Sequence, residues 1–359
     1  MSTTIKFANN QSQFFNTLRK RINQYFDENK IKVTGNLKLY AKTIILVSLL
    51  VADYVWLVFY TPHYTLVSLM LCAIMGFLFA AIGFNVMHDG AHGSYSTKSW
   101  LNNMMAHSLE LLGGSSYMWK YKHNVAHHSF TNIEGMDEDI DIKPFLRVNK
   151  SQKWYWIHQF QHIYSLLLYG FTYIMWIYFN DLKKYFSKKV TDATPIPNMK
   201  AKDHLIFWGT KLGYLAIFLV IPVWQVGIGK TLLGYGMLVF VCGVLIAITF
   251  QLAHVNDQAE FISPTGANYE IENEWAIHQI NTTANFATKQ KWHAWFWGGL
   301  NYQIEHHLFP RISHIHYPAI SKIVKQTCKE FGVAYNEFPT VVSAIYSHLM
   351  HLKALGVRA

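Results

Sequence analysis

Charge is what this chain has least of. Asp, Glu, Lys and Arg make up 14% of its 359 residues, against roughly 25% in an average soluble domain. Acids are the scarcer sign, with 21 Asp and Glu set against 31 Lys and Arg for a formal net charge of +10. That composition excludes an ordinary soluble enzyme. Cysteine is scarce as well. Cys72 and Cys242 lie in apolar runs and Cys328 near the C-terminus, with no spacing for a metal, a redox pair or a disulfide framework. No apolar core followed by a small-residue cleavage site opens the chain, so no secretory signal is expected. No internal repeat and no Gly/Ser- or Pro-rich linker cuts off a second domain.

What fills the space left by charge is apolar. Hydrophobic residues reach 51% and aromatic residues 16%. The mean hydropathy is only +0.10, so a large polar part accompanies the apolar runs. Crossing a bilayer core takes roughly 20 residues. Four runs are about that long, at 40–60, 66–87, 207–224 and 231–253. The positive charge is therefore assigned to the cytoplasmic side of a membrane protein rather than to nucleic acid. Residues 1–38 read as a basic amphipathic segment whose Phe14, Phe15, Leu18, Ile22, Tyr25 and Phe26 recur at helical spacing. That helix either packs on the body of the protein or lies on an anionic membrane surface. Residues 39–359 form a single membrane domain.

A fifth apolar and aromatic stretch, 154–179, decides the topology. If it crossed, the histidine-rich stretches described below would lie on opposite faces, and so would the lysines of 181–204, against the positive-inside rule. If it lies in the interface, four spans place both termini and all histidine stretches on the cytoplasmic face. The second arrangement is expected, an all-α integral membrane fold with a cytoplasmic cap. Lys211, near the start of the third run, is expected to reach back to the interface. Asp53, the one acid in the first run, is either functional or turned to the interface near the outer end. The acids Asp137, Glu138, Asp139 and Asp141 read as a solvated loop, with metal ligation the minority view.

The chain holds 19 histidines. Most stand alone and read as structural: His63, His107, His204, His293, His314, His316, His348 and His351. His158 and His162, four apart in the fifth stretch, read as surface or packing residues. Three clusters differ. His88 and His92 are four residues apart and follow directly on an apolar run. His123 and His127 repeat that spacing, with His128 beside them. His306 and His307 are adjacent, with Gln303 three and four residues before them. Burying so many imidazoles together without a cation is costly. Imidazole suits zinc, copper, iron and nickel, and one zinc needs only three or four ligands. Seven histidines are too many for one ion and suit two. His254, where the fourth run meets the same face, is an eighth candidate. No Glu-x-x-His of the soluble di-iron bundles occurs.

These three boxes resemble those of the membrane fatty acid desaturases. Gln303, in place of a first histidine in the third box, resembles the front-end, linoleoyl-CoA desaturase-like branch. The runs Phe250–His254, 275–286 and 298–310 also match, so the resemblance covers roughly 40–330. It implies a four-span enzyme that inserts a cis double bond into an acyl chain with O₂. Two iron ions would be held by His88, His92, His123, His127, His128, His254, His306 and His307. Gln303 would be a ligand or act from behind the ligands. Asp89 and Glu305 would orient ring N–H groups or face solvent, and His278 would be structural. No His-Pro-Gly-Gly haem motif of a fused cytochrome b5 domain occurs. Two electrons would then come from a separate donor, such as ferredoxin or cytochrome b5. The lysines Lys183, Lys184, Lys188 and Lys189 either dock that donor or serve topology alone. The acyl carrier is open between CoA, a lipid and a carrier protein, and membrane lipids are expected partners. The chain is placed in a bacterial inner membrane. Two other readings stand: a histidine-box hydroxylase or ketolase, and a membrane metal-binding or transport protein.

Overall fold

The structure is a computed structural model and describes residues 4–8, 13–266 and 268–358. Four helices are long and apolar enough to cross a membrane: Leu37–Phe59, Thr65–His92, Ala201–Val226 and Ile228–His254. They correspond one to one with the four runs of the sequence. Each is longer than its run, because polar residues at the ends continue the helix. Exposed apolar side chains such as Ile44, Trp56, Leu66, Leu205 and Trp224 cover their outer faces. A surface of that kind is stable against lipid and not against water.

The second and fourth spans form the centre. Gly76 lets them touch, since a Cβ there would sit 2.5 Å from the Leu238 carbonyl oxygen. The second span is not regular throughout. It widens into a π-helical segment at Gly83–Met87 and then carries His88–His92 in a last α-helical turn. Gly298 packs against that segment with φ +56°, and a Cβ would lie 2.4 Å from the Phe84 carbonyl oxygen. Only glycine fits such a left-handed position at so close an approach.

The stretch 154–179 is not one helix. It breaks into a 3₁₀ turn at Trp156–Phe160, a helix at Gln161–Tyr169, a turn at Thr172–Ile174 and a π segment at Met175–Asn180, which runs on into Asp181–Ser187. No piece is long enough to cross, as the parity argument requires. Lys211 departs from expectation. The third span begins at Ala201, so Lys211 lies three turns inside it rather than at its mouth. Its Nζ donates to the carbonyls of Gly113 (2.7 Å) and Ile177 (2.5 Å) and to Asp181 Oδ2 (2.9 Å). The lysine therefore ties the third span to the broken stretch. Asp53 is not turned to the interface either. It is buried between spans, and neither carboxylate oxygen has a hydrogen-bond partner among the described residues.

Of the two readings of the N-terminal helix, the packed one holds. Phe14, Leu18, Ile22 and Phe26 of Phe14–Glu28 are buried against Tyr317, Ile320, Val324 and Cys328 of Tyr317–Phe331. Both stripes repeat every three or four residues, as two packed helices require. Arg21 closes the seam, donating to Thr327 Oγ1 at 3.0 Å and to Glu330 Oε2 at 2.6 Å. Burying each large apolar side chain stabilises the cap by about 1.5–3 kcal/mol. Its job is to cover the third histidine box, on helix Gln303–Leu308.

Candidate metal centre

The π-wound segments shape the centre. The second box lies on Lys120–His127, also π-helical. In such winding, residues four and five apart share a face. The His123 ring accordingly stands 5.3 Å from that of His127 and 4.7 Å from that of His128. An ordinary helix would have turned one of them away. The first box approaches from the second span, with the rings of His88 and His123 5.2 Å apart. The third box closes the cluster, with His306 4.5 Å from His88 and His307 4.5 Å from His128. His254, from the end of the fourth span, stands 4.8 Å from both His127 and His307.

The seven histidines singled out by spacing and His254, singled out by its place, are thus brought together. Their ring nitrogens sort into two groups. His88, His92, His123 and His306 converge within 4.8 Å of one another, and so do His127, His254 and His307. His128 stands between the groups, with a nitrogen near those of His306 and His307. The three boxes therefore share one face of the spans.

Metal fit shows in the pairing of the two nitrogens on each ring. On one side, protein groups hold Nδ1. His127 Nδ1 meets Asp137 Oδ2 at 3.0 Å, and His307 Nδ1 donates to Gln279 Oε1 at 2.8 Å. His254 Nδ1 donates to the Thr282 carbonyl at 3.2 Å, and His306 Nδ1 meets the Tyr317 hydroxyl at 3.3 Å. On the other side, the Nε2 atoms of these same four rings, and of His92, are buried without a partner among the described residues. Orphaned buried acceptors are rare. Rings fixed through one nitrogen and free at the other are the usual arrangement of metal-binding histidines.

Electrostatics agree. Burial first, and the charge of neighbouring imidazoles second, hold His123, His128, His306 and His307 well below the ordinary imidazole range. They are neutral, the form that binds metal. His127 is the exception. Burial would lower it, but Asp137 and then Asp139 outweigh burial and raise it.

Several expectations need correction. The acids at 137–141 are not simply a solvated loop. Asp137 is buried, accepts from the backbone N–H groups of Asn132 and Asp139, and braces His127. Asp139 pairs with Lys122 and lies near His123 and His127, where it makes the third donor of a group. Asp89 and Glu305 do not orient the box histidines, and neither faces solvent. Asp89 accepts from Ser313 Oγ at 2.6 Å and pairs with His314 at 3.1 Å, a histidine outside the boxes. Glu305 accepts from Asn285 (2.8 Å) and Tyr335 (2.9 Å), and burial pushes its carboxyl up to about 7. These two acids fasten box elements to the cap. Gln303 is buried with both side-chain polar atoms unpartnered among the described residues, one helical turn from His306 and His307. His278 is structural as expected, its Nε2 on the Thr131 carbonyl at 3.0 Å. Lys184 is no part of a docking surface, since it is buried against Glu138.

Sequence reasoning missed Gln279, Asn132 and Lys42. Asn132, at φ +57°, donates to the carbonyls of His254, Glu260 and Thr282 and so ties the second box to the fourth span. Lys42 Nζ donates to Asn85 Oδ1 at 2.7 Å and to the Trp295 carbonyl at 2.9 Å, and stands 3.3 Å from His314. A lysine within an apolar run was the one available signal for it.

Four helices apolar and long enough to cross a membrane lead to one cluster of eight histidines, in groups that could hold metal ions at one face of the spans. The family model for fatty acid desaturases matches residues 62–339. The chain belongs to the fatty acid desaturase family and is an oxidoreductase. It is 38% identical to an acyl-lipid (8-3)-desaturase of Physcomitrium patens, over 99% of this chain and 74% of that one. It is 36% identical to the sn-1 linoleoyl-lipid 6-desaturase of Arthrospira platensis, over 99% of this chain and 96% of that one. Identity to a protein of the same name from Synechocystis sp. is also 36%, over 98% of each chain.

Proposed function

We propose that this desaturase inserts a cis double bond into an acyl chain carried on a membrane lipid, using two iron ions held by the eight histidines. The observation that carries the metal reading is the orphaned inward nitrogens beside braced outward ones. Their division into two groups supports two ions, and iron is a redox-active metal that suits an imidazole set working with O₂. The lipid carrier rests on relatives named acyl-lipid and linoleoyl-lipid desaturases, and the same names favour a double bond on the carboxyl side of the chain.

The bound ions would supply the oxygen and one-electron chemistry that side chains lack. This chain's residues do the rest. His88, His92, His123 and His306 would bind one ion and His127, His254 and His307 the other, with His128 between them. Asp137, Gln279, Tyr317 and the Thr282 carbonyl fix ring orientation and tautomer. An apolar cavity touches His88 and is lined there by Phe84, Trp119, Trp176 and Phe250. It would hold the reacting methylenes and exclude water. A separate protein would deliver two electrons at the cytoplasmic face, where both termini would also lie.

The test is a fatty acid profile. The chain is expressed in a membrane host with a competent donor such as ferredoxin or cytochrome b5, and lipids are analysed by mass spectrometry. A new double bond in lipid-bound chains is expected. Hydroxylated or keto products would replace desaturation by oxygen insertion. Metal bound with neither product would leave a metal-binding protein.

A further inference from the structure

All four spans contribute to a cavity at the end of the bundle away from the histidine boxes. It is about 850 Å³ and partly open, within the roughly 300–1,000 Å³ that small-molecule sites occupy. The first span supplies Leu57 and Val58, the second Leu69 and Met75, the third Phe218 and the fourth Leu238. It shares no lining residue with the cavity beside His88, and no box histidine touches it.

Its polarity runs one way. Thr61, His63, Thr65, Lys230 and Thr231 line the end next to the two short links between spans. Lys230 is exposed there, in the first turn of the fourth span. Deeper in, the tyrosine hydroxyls are already bonded. Tyr54 donates to the Ile217 carbonyl at 2.6 Å, and Tyr235 is hydrogen-bonded to Tyr178 at 2.9 Å and to Tyr214 at 3.1 Å. No Asp or Glu lines the cavity. Asp53, the acid of the first span, stands two turns deeper than Thr61 and is not part of the lining. The second and fourth spans both start at this mouth, so their dipoles add to the positive charge of Lys230. Tyr60, Tyr64 and Trp224, at the same ends of the spans, are exposed. Aromatic residues in that place mark the level of lipid head groups.

We propose that this cavity is a lipid site separate from the reaction, which takes one tail of an anionic membrane phospholipid with the phosphate at Lys230. A cationic mouth without acids suits the phosphate, and the apolar bore beyond it suits the tail. From Thr231 to Leu238 the bore follows seven residues of helix, roughly 10 Å at helical rise. A mouth at head-group level is supplied with phospholipid by the bilayer itself. The bound tail fills apolar space that all four spans face and gives their side chains packing partners there. The site needs the spans and not the chemistry at the histidines.

The experiment places the purified full chain in nanodiscs of phosphatidylglycerol and phosphatidylcholine in equal parts, and native mass spectrometry counts the lipid that stays bound after release. The parent is expected to keep one phosphatidylglycerol per chain. Lys230→Glu is expected to lower the preference for phosphatidylglycerol over phosphatidylcholine about fivefold or more, the scale of one basic residue at a membrane surface. Leu69→Trp fills the bore and is expected to keep neither lipid. In detergent, added phosphatidylglycerol should raise the thermal midpoint of the parent and leave that of Leu69→Trp unmoved. If Leu69→Trp does not accumulate, Ser68→Phe, nearer the mouth, replaces it, and Lys230→Glu, at an exposed position, decides the head group alone. A parent that keeps no lipid, keeps both equally, or covers the mouth with a second copy of the chain would overturn the site. So would a filled variant that keeps phosphatidylglycerol as the parent does. A parent that keeps the lipid but makes no double bond would overturn the desaturase reading and leave this site standing.

Discussion

His127 Nδ1 lies 3.0 Å from Asp137 Oδ2, and both side chains are buried. The carboxylate fixes which ring nitrogen faces the centre and, together with Asp139, outweighs the burial that would otherwise lower the imidazole's proton affinity. Asp137→Asn preserves shape and removes the charge. It is expected to cost 10- to 100-fold, at the order of magnitude seen when such bracing groups are lost. The check is metal content against added chelator, run beside product yield. Parent-like retention of both would show that Asp137 only caps the loop at Asn132 and Asp139.

Gln303 gives a different kind of prediction. Its amide is buried and unpartnered among the described residues, one turn from two histidines, a place from which it would contact a bound ion or a water held by one. Gln303→Leu should keep both ions, because eight imidazoles remain, while product falls roughly tenfold or more. Loss of one ion per chain would make Gln303 an obligatory ligand. Unchanged product would leave it a packing residue.

Lys42 links the first span to the first box. Its ammonium holds Asn85, in the π segment just before His88, and reaches His314, which pairs with Asp89. A hydrogen bond from a charged donor contributes about 1.5–3 kcal/mol. Lys42→Met leaves the Asn85 oxygen and the Trp295 carbonyl without their donor. A loss of about 2–3 kcal/mol is expected, read as a thermal midpoint several degrees lower in detergent. An unchanged midpoint would mean that water takes the amine's place.

These three residues also mark what the sequence could and could not show. The seven box histidines were legible because their spacing is local and because parity places three boxes on one face. His254 was legible from its place at the end of an apolar run. Asp137 looked solvated because four acids in five residues normally are, and its burial depends on the chain folding back over it. Gln279 braces His307 across 28 residues and meets Thr131 across 148. No local pattern encodes such partners. The broken stretch 154–179 was readable as non-crossing from topology, but its breaks follow from packing against the spans. Lys211 was misplaced because the third span starts earlier than hydropathy alone indicates.

The central claim is that two groups of histidines each hold an ion, and counting metal per purified chain tests it most directly. The parent protein should carry two iron ions per chain. His254→Ala, altered in the group of three, should carry about one and make no double bond, while accumulating in the membrane as the parent does. Two ions retained in His254→Ala, or a parent that desaturates with a single ion, would contradict the account.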